Sequence, residues 1–159
     1  MFINFRVNTN YMNFYRKELL LFLSLFSFVI THAQEAAAVD SIKNELSKAT
    51  TAQARVTLLD ELSRTLMNVN PKEADETGAR LITVAEESRD RKLMFKAYLS
   101  NGIRCTYMAN QKAYSQKAIE FYNKALELAR QNRMEEEVGA AQMYLTSVNL
   151  LIPDKEKAL

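Results

Sequence analysis

The sequence predicts an all-α chain built from tandem helix pairs, and three observations carry that expectation. Apolar and small residues recur at helical spacing through most of the chain after residue 52, and no alternating strand pattern of any length interrupts them. A short motif recurs at the start of every second helix: Lys72-Glu73-Ala74, Gln116-Lys117-Ala118 and Glu156-Lys157-Ala158. The steps are 44 residues, from Ala74 to Ala118, and 40 residues, from Ala118 to Ala158. Eleven residues after the first two alanines stand Ala85 and Ala129, and twenty-three residues after them stand Ala97 and Ala141. Coincidences at several fixed offsets mark a repeated helix–turn–helix unit rather than one helix with a regular face.

The amino-terminal residues are of a different kind. Six of the eight phenylalanines lie before residue 30. Arg6, Arg16 and Lys17 precede an uncharged stretch, Leu19 to Ile30, which is followed by Thr31-His32-Ala33 and Gln34. A basic start, a short apolar core and a small residue before a polar one predict a secretory signal peptide over residues 1–33, cleaved after Ala33. The alternative is a membrane anchor, but twelve apolar residues fall well short of the roughly 20 a span requires. Met1 and Met12 are both usable starts for such a signal. Cleavage would place the mature chain outside the cytoplasm, periplasmic or otherwise extracytoplasmic.

Cleavage also changes the charge balance. The whole chain has 21 Lys+Arg, 19 Asp+Glu and one His. Removing residues 1–33 leaves 18 of each sign and no histidine, since His32 goes with the signal. No basic surplus then argues for nucleic acid as a partner. Without imidazole, and with Cys105 the single cysteine, the usual zinc sets and an intramolecular disulfide are out of reach. No cofactor or metal is expected. Cys105 is expected to be a small buried helix residue; pairing with another chain is the alternative. There is no Gly-rich phosphate loop, and Glu86-Glu87 and Glu135-Glu136-Glu137 read as charge runs at helix ends. The chain is therefore not expected to be an enzyme.

The expected elements follow in order. Residues 34–51 form a leader, flexible over 34–38, with a short helix over 40–48 that has Ile42 and Leu46 on one side. A helix over 52–68 turns Val56, Leu59, Leu62, Ser63 and Leu66 to one face. Asn70-Pro71-Lys72-Glu73 is a helix start, with Asn70 as cap, Pro71 in the first position and Glu73 placed for a capping box. That helix runs to about residue 89, with Ala74, Gly78, Leu81, Ile82 and Ala85 inward. A helix over 91–109 carries Phe95, Leu99, Gly102, Ile103 and Tyr107, and a turn over 110–114 follows. The helix over 115–133 has the clearest pattern: Ala118, Phe121, Tyr122, Ala125 and Ala129 share a face, with Lys117, Glu120, Lys124, Glu127 and Arg130 opposite. Tyr107, Tyr114, Tyr122 and Tyr144 read as packing residues. A helix over 135–151 comes next, and Asp154 is placed to cap one more.

The pattern Ala118-x-x-x-Tyr122-x-x-Ala125 resembles the second helix of a tetratricopeptide repeat (TPR). The resemblance covers about residues 52–159, as units of about 52–89, 91–133 and an incomplete 135–159. It implies a TPR-like α-α superhelix in which Ala74, Ala118, Tyr122, Ala125 and Ala158 are packing positions. The units exceed the usual 34 residues, Leu81 replaces the second alanine of the first, and Trp is absent. Signal, lead helix and units of about 40 residues are similar in layout to the exported N-terminal sensor regions of bacterial TPR-containing histidine kinases and transcription regulators. That layout implies a protein- or peptide-binding module, the sensor or interaction part of a signalling protein. A free-standing exported scaffold for envelope assembly is the alternative, and self-association is a further expectation. Setting Gly102-Ile103 against Ser147-Val148 makes Asn101 and Arg104 correspond to Thr146 and Asn149, and these four are the candidate ligand contacts. The third motif has only begun at Ala158, which reads as an array continuing beyond residue 159.

Overall fold

The computed structural model describes residues 34–108 and 112–151, and within them the chain is all-helical with no strand. It divides into two compact units, Met1–Ala38 and Val39–Leu159. Of the first, residues 34–38 are described, and they are helical rather than a flexible leader. Glu35 and three successive alanines have high intrinsic helix propensity, which explains the difference. The helix continues to residue 48, and residues 34–48 are termed α1. The second unit contains the later part of α1 and five further helices: α2 (Ala52–Leu66), α3 (Pro71–Ser88), α4 (Arg91–Tyr107), α5 (Lys112–Gln131) and α6 (Glu135–Leu151).

Local chemistry defines the ends. Thr51 caps α2 by accepting the Ala54 amide at 3.2 Å. Asn70 caps α3, its side-chain oxygen accepting the Glu73 amide at 3.3 Å, with Pro71 behind it. The reciprocal half of the expected capping box is not formed. The Asn70 amide donates instead to the Leu66 carbonyl at 2.8 Å, and Glu73 accepts from the Asn70 side chain at 3.1 Å. The tight turn from α2 thus takes the donor that Glu73 would have served. Asp90 caps α4 through the amides of Lys92 and Leu93. α5 begins at Lys112, so residues 112–114, expected in a turn, are its first turn. Arg89, after α3, and Arg133, after α5, both adopt the left-handed conformation at φ 56°. They stand 44 residues apart, the same step as Ala74 to Ala118.

The pairing of side chains shows the order of packing. Tyr98 meets Glu86, Asn101 meets Gly78 and Arg104 meets Asp75, so α3 and α4 run antiparallel. Consecutive helices from α2 to α6 pack on one another, and α4 also touches α2 and α6. Helix pairs therefore stack, with α2, α4 and α6 forming one continuous row.

The repeat alanines are where this packing needs them. Ala74, Ala85, Ala118 and Ala129 have no exposed surface, nor does Ala141, and Ala97 has 1%. Ala125 is fully buried and Tyr122 nearly so. Alanine permits close approach of two helix backbones, and a ring beside it fills the remaining space. One core cluster joins Val56, Leu59, Leu81 and Ala85 to Leu93 and Ala97 on α4. A second joins Phe95 of α4 to Ala125, Leu126 and Ala129 of α5 and Ala141 of α6. Val39 and Ile42 of α1 seal Leu62, Leu66 and Ala74 at the amino-terminal end. Cys105 is buried beside Ala118, Tyr122 and Val148. Tyr107 differs from expectation: it is 76% exposed, because it falls on the side of the last turn of α4 that faces away from α5. Ala158 and the Asp154 cap lie outside the described residues.

Candidate functional site

The four residues singled out as ligand contacts do not share one surface. Asn101 and Arg104 are buried, at 2% and 3% exposure, whereas Thr146 and Asn149 are exposed. The cause is a one-residue slip in register. Matching Gly102-Ile103 with Ser147-Val148 uses an offset of 45, while the buried alanines Ala97 and Ala141, and the turns at Arg89 and Arg133, use 44. One residue rotates a helix position by about 100°. In the register of the fold, Asn101 corresponds to Leu145 and Arg104 to Val148, which is also fully buried.

Asn101 and Arg104 instead build a polar seam between α3, α4 and α5. The Asn101 amide nitrogen donates to the Gly78 carbonyl at 3.1 Å and to the Ala97 carbonyl at 3.0 Å. Its oxygen accepts from Arg104 Nη2 at 3.3 Å. Arg104 Nη1 donates to Asp75 Oδ1 at 2.5 Å. The other Asp75 oxygen accepts from the Tyr114 hydroxyl at 3.2 Å and lies 3.6 Å from Lys117 Nζ. A Cβ on Gly78 would stand 2.3 Å from the Asn101 oxygen, so only glycine lets the amide approach the α3 backbone this closely. Arg104 Nε is buried without a hydrogen-bond partner among the described residues.

The electrostatics follow from these contacts. Burial pushes the Asp75 carboxyl up, but Arg104, Lys117 and the Tyr114 hydroxyl outweigh it and hold the group below its ordinary 3.8. Burial, with the Asp75 charge next, raises Tyr114. The seam is a fixed charge pair whose acceptor oxygens are occupied by three donors, and it clamps three helices. The equivalent seam one repeat later is apolar: Ile119, Tyr122, Leu145 and Val148 stand where Asp75, Gly78, Asn101 and Arg104 stand before. There the Tyr122 ring stacks on Tyr144 at 5.5 Å, and its hydroxyl lies 2.9 Å from that of Thr106. The ring presses on Gly102, where a Cβ would be 2.4 Å from it.

A concavity lies elsewhere, between α1, α2 and α3, with a volume of about 360 Å³. Leu46 and Leu62 contribute its apolar lining, with Ser47 and Thr77 beside them. Lys43, Arg55, Arg80, Glu73 and Glu76 supply charge. Lys43 is neutralised by Glu73 at 2.7 Å, and Glu76 has Lys72 at 4.0 Å. Arg55 and Arg80 make no ion pair among the described residues, so the cleft carries two uncommitted guanidinium groups. Sequence reasoning missed this cleft because its residues come from three helices, and only Glu73 among them belongs to a motif, where it reads as part of a helix start. The signal available was Arg55 and Arg80 on the outer flanks of adjacent helices.

Among the described residues no group of three or more His, Cys, Asp or Glu is placed to hold a metal, and no helix is long and apolar enough to cross a membrane. No family model, curated protein or solved structure matches the chain.

Proposed function

We propose that the chain is a protein- or peptide-binding module of TPR type, exported by its amino-terminal signal and serving as the sensor or interaction part of a bacterial signalling protein. The observation that carries the reading is the cleft between α1, α2 and α3. It has the size of a site for one or two side chains, an apolar floor and two arginines that make no ion pair among the described residues. Arginine presents a planar fork suited to carboxylates, so the cleft favours an extended segment with an acidic residue next to an apolar one. The stacked helix pairs hold the three walls rigidly, since α1 is sealed to α2 and α3 through Val39 and Ile42. The cleft, rather than Asn101, Arg104, Thr146 and Asn149, is where this reading places the ligand.

A peptide array probed with the exported protein tests it. Acidic–apolar peptides should be enriched, and the double change Arg55→Ala with Arg80→Ala should weaken them about tenfold or more, as loss of charge-assisted hydrogen bonds does. Both arginines are exposed, so the fold should survive. Peptides with no acidic preference, or binding unchanged in the double variant, would refute the reading.

A further inference from the structure

Thr77 belongs to the α3 wall of the cleft between α1, α2 and α3, and it is 3% exposed. A hydroxyl inside a helix ordinarily donates to the carbonyl one turn back. Thr65, Thr83, Thr106, Thr146 and Ser147 all do so, at 2.9 to 3.2 Å. The Thr77 hydroxyl makes no hydrogen bond to any described residue. Nor is it sealed from solvent: among the described residues only Asp60 Oδ1 and Arg104 Nε are fully enclosed without a partner. The sliver of Thr77 that stays open therefore includes its hydroxyl, and the space in front of it is the cleft. A nearly buried hydroxyl without a partner is unfavourable, and a bound group that supplies the partner relieves it.

The place of this hydroxyl along the cleft says what that partner is. Leu62, Leu66 and Ala74 share one core cluster, and Val56, Leu59, Leu81 and Ala85 share another, so α2 and α3 run antiparallel. That pairing sets Leu62 opposite Thr77 and brings Arg55 to the Arg80 end. Thr77 and Arg80 are three residues apart on α3, hence neighbours on its surface with about 4.5 Å of rise between them. At the other end the charge of Lys43 is satisfied by Glu73 at 2.7 Å. The hydroxyl thus stands where the arginine end meets the apolar floor. Two guanidinium groups repel a cationic ligand and attract an anionic one, and an ionised carboxylate is an acceptor only, with room for several donors. We propose that Thr77 is a ligand-contacting residue of the cleft: its hydroxyl donates to the carboxylate held by Arg55 and Arg80, and so places the ligand's adjoining apolar side chain on Leu62. The assignment rests on the reading of the cleft as a site for acidic–apolar peptides, and adds to it the residue that sets the ligand's position.

Thr77→Val keeps the branched shape and removes the hydroxyl. The wild type, Thr77→Val, and the double variant Arg55→Ala with Arg80→Ala are titrated against the tightest acidic–apolar peptide of the array, labelled with fluorescein and followed by anisotropy. Thr77→Val should bind about tenfold more weakly or worse, as loss of one hydrogen bond to a charged group does. Without peptide, its denaturant midpoint should equal or exceed that of the wild type, because the hydroxyl has no partner in the fold to lose. Thr77→Val binding as tightly as the wild type, while the arginine variant binds weakly, would overturn the assignment of Thr77 and leave the reading of the cleft standing. Weaker binding accompanied by a lower midpoint would also overturn it, since the hydroxyl would then be supporting the fold. An arginine variant that binds as the wild type does would overturn both.

Discussion

Replacing Gly102 and Gly139 by alanine should change stability in opposite directions, although both lie in helix interiors. In an unconstrained helix position the change favours the fold by about 1 kcal/mol, because glycine loses more backbone entropy on folding. Gly139 is such a position, with open space at its Cβ site. At Gly102 the new methyl would stand 2.4 Å from one Tyr122 ring carbon and 2.6 Å from another. Ordinary contact needs more than a further ångström. The ring cannot retreat freely, because Tyr144 stacks on it at 5.5 Å and Thr106 holds its hydroxyl at 2.9 Å. Overpacking of this kind costs about 1–3 kcal/mol, and such a locked ring belongs near the upper end. After the propensity gain, Gly102→Ala should be less stable by about 2 kcal/mol and Gly139→Ala more stable by about 1 kcal/mol. With a urea slope of about 2 kcal/mol/M, the midpoints should move by about −1 M and +0.5 M. Unfolding is followed by far-ultraviolet circular dichroism. In a Tyr122→Leu background the penalty at Gly102 should vanish. Equal shifts of the same sign, or a penalty that persists without the ring, would refute the packing described for α4 and α5.

Further expectations follow from the two seams. Arg104→Ala leaves Asp75 without its main partner and should cost about 3 kcal/mol in denaturant melts, as breaking a largely buried pair does. Asp75 is held below its ordinary 3.8, so its contribution is complete above the unfolded value and is lost as pH falls through the lower folded value. Stability measured downward from pH 4 should therefore decline, and Asp75→Asn should flatten that decline. Tyr122 is pushed up to about 12, chiefly by burial, so the folded state keeps a proton that the unfolded state releases near 10. Stability should fall from pH 10 to 12, and Tyr122→Phe should reduce the fall while costing about 1 kcal/mol at neutral pH for its hydrogen bond to Thr106. Ala125→Leu should cost about 1–3 kcal/mol, since Ala125 is fully buried, while the same change at exposed Lys124 should cost under about 1 kcal/mol in the same melts.

Helix periodicity and alanine spacing made most of the fold legible. Small residues at contact points have few substitutes, so Ala74, Ala85, Ala97, Ala118, Ala129 and Ala141 mark the seams in the sequence as they do in the structure. The helix ends were readable where a single side chain decides them, as with Asn70 and Pro71. The site was less legible. A glycine beside a β-branched residue is a weak register mark, and aligning on it misplaced Asn101 and Arg104 by one position. Charge misled in the same place. Arginine is ordinarily at the surface, and hydrogen bonds to Asn101 and to Asp75, the latter on another helix 29 residues away, make its burial tolerable. Tyr107 had the right spacing for packing, but α5 does not reach the side on which it lies. The cleft depends on three helices meeting, which no local pattern encodes.

The helix pairs repeat at a step of 44 residues, with a polar seam and an apolar seam in equivalent places. Exchanging one seam's residues for the other's tests it most directly. The triple change Asp75→Ile, Asn101→Leu and Arg104→Val installs the residues found 44 positions later. The control, Asn101→Thr with Arg104→Asn, installs those found 45 positions later. Replacing a buried ionic network by apolar side chains of fitting shape is often neutral or stabilising by about 1–4 kcal/mol, whereas stranding Asp75 against two short polar groups is not. In parallel denaturant melts the triple variant should unfold cooperatively at or above the wild-type midpoint, and the control should fall by about 3 kcal/mol. A control as stable as the wild type, beside a triple variant that fails to fold, would contradict the register and the account built on it.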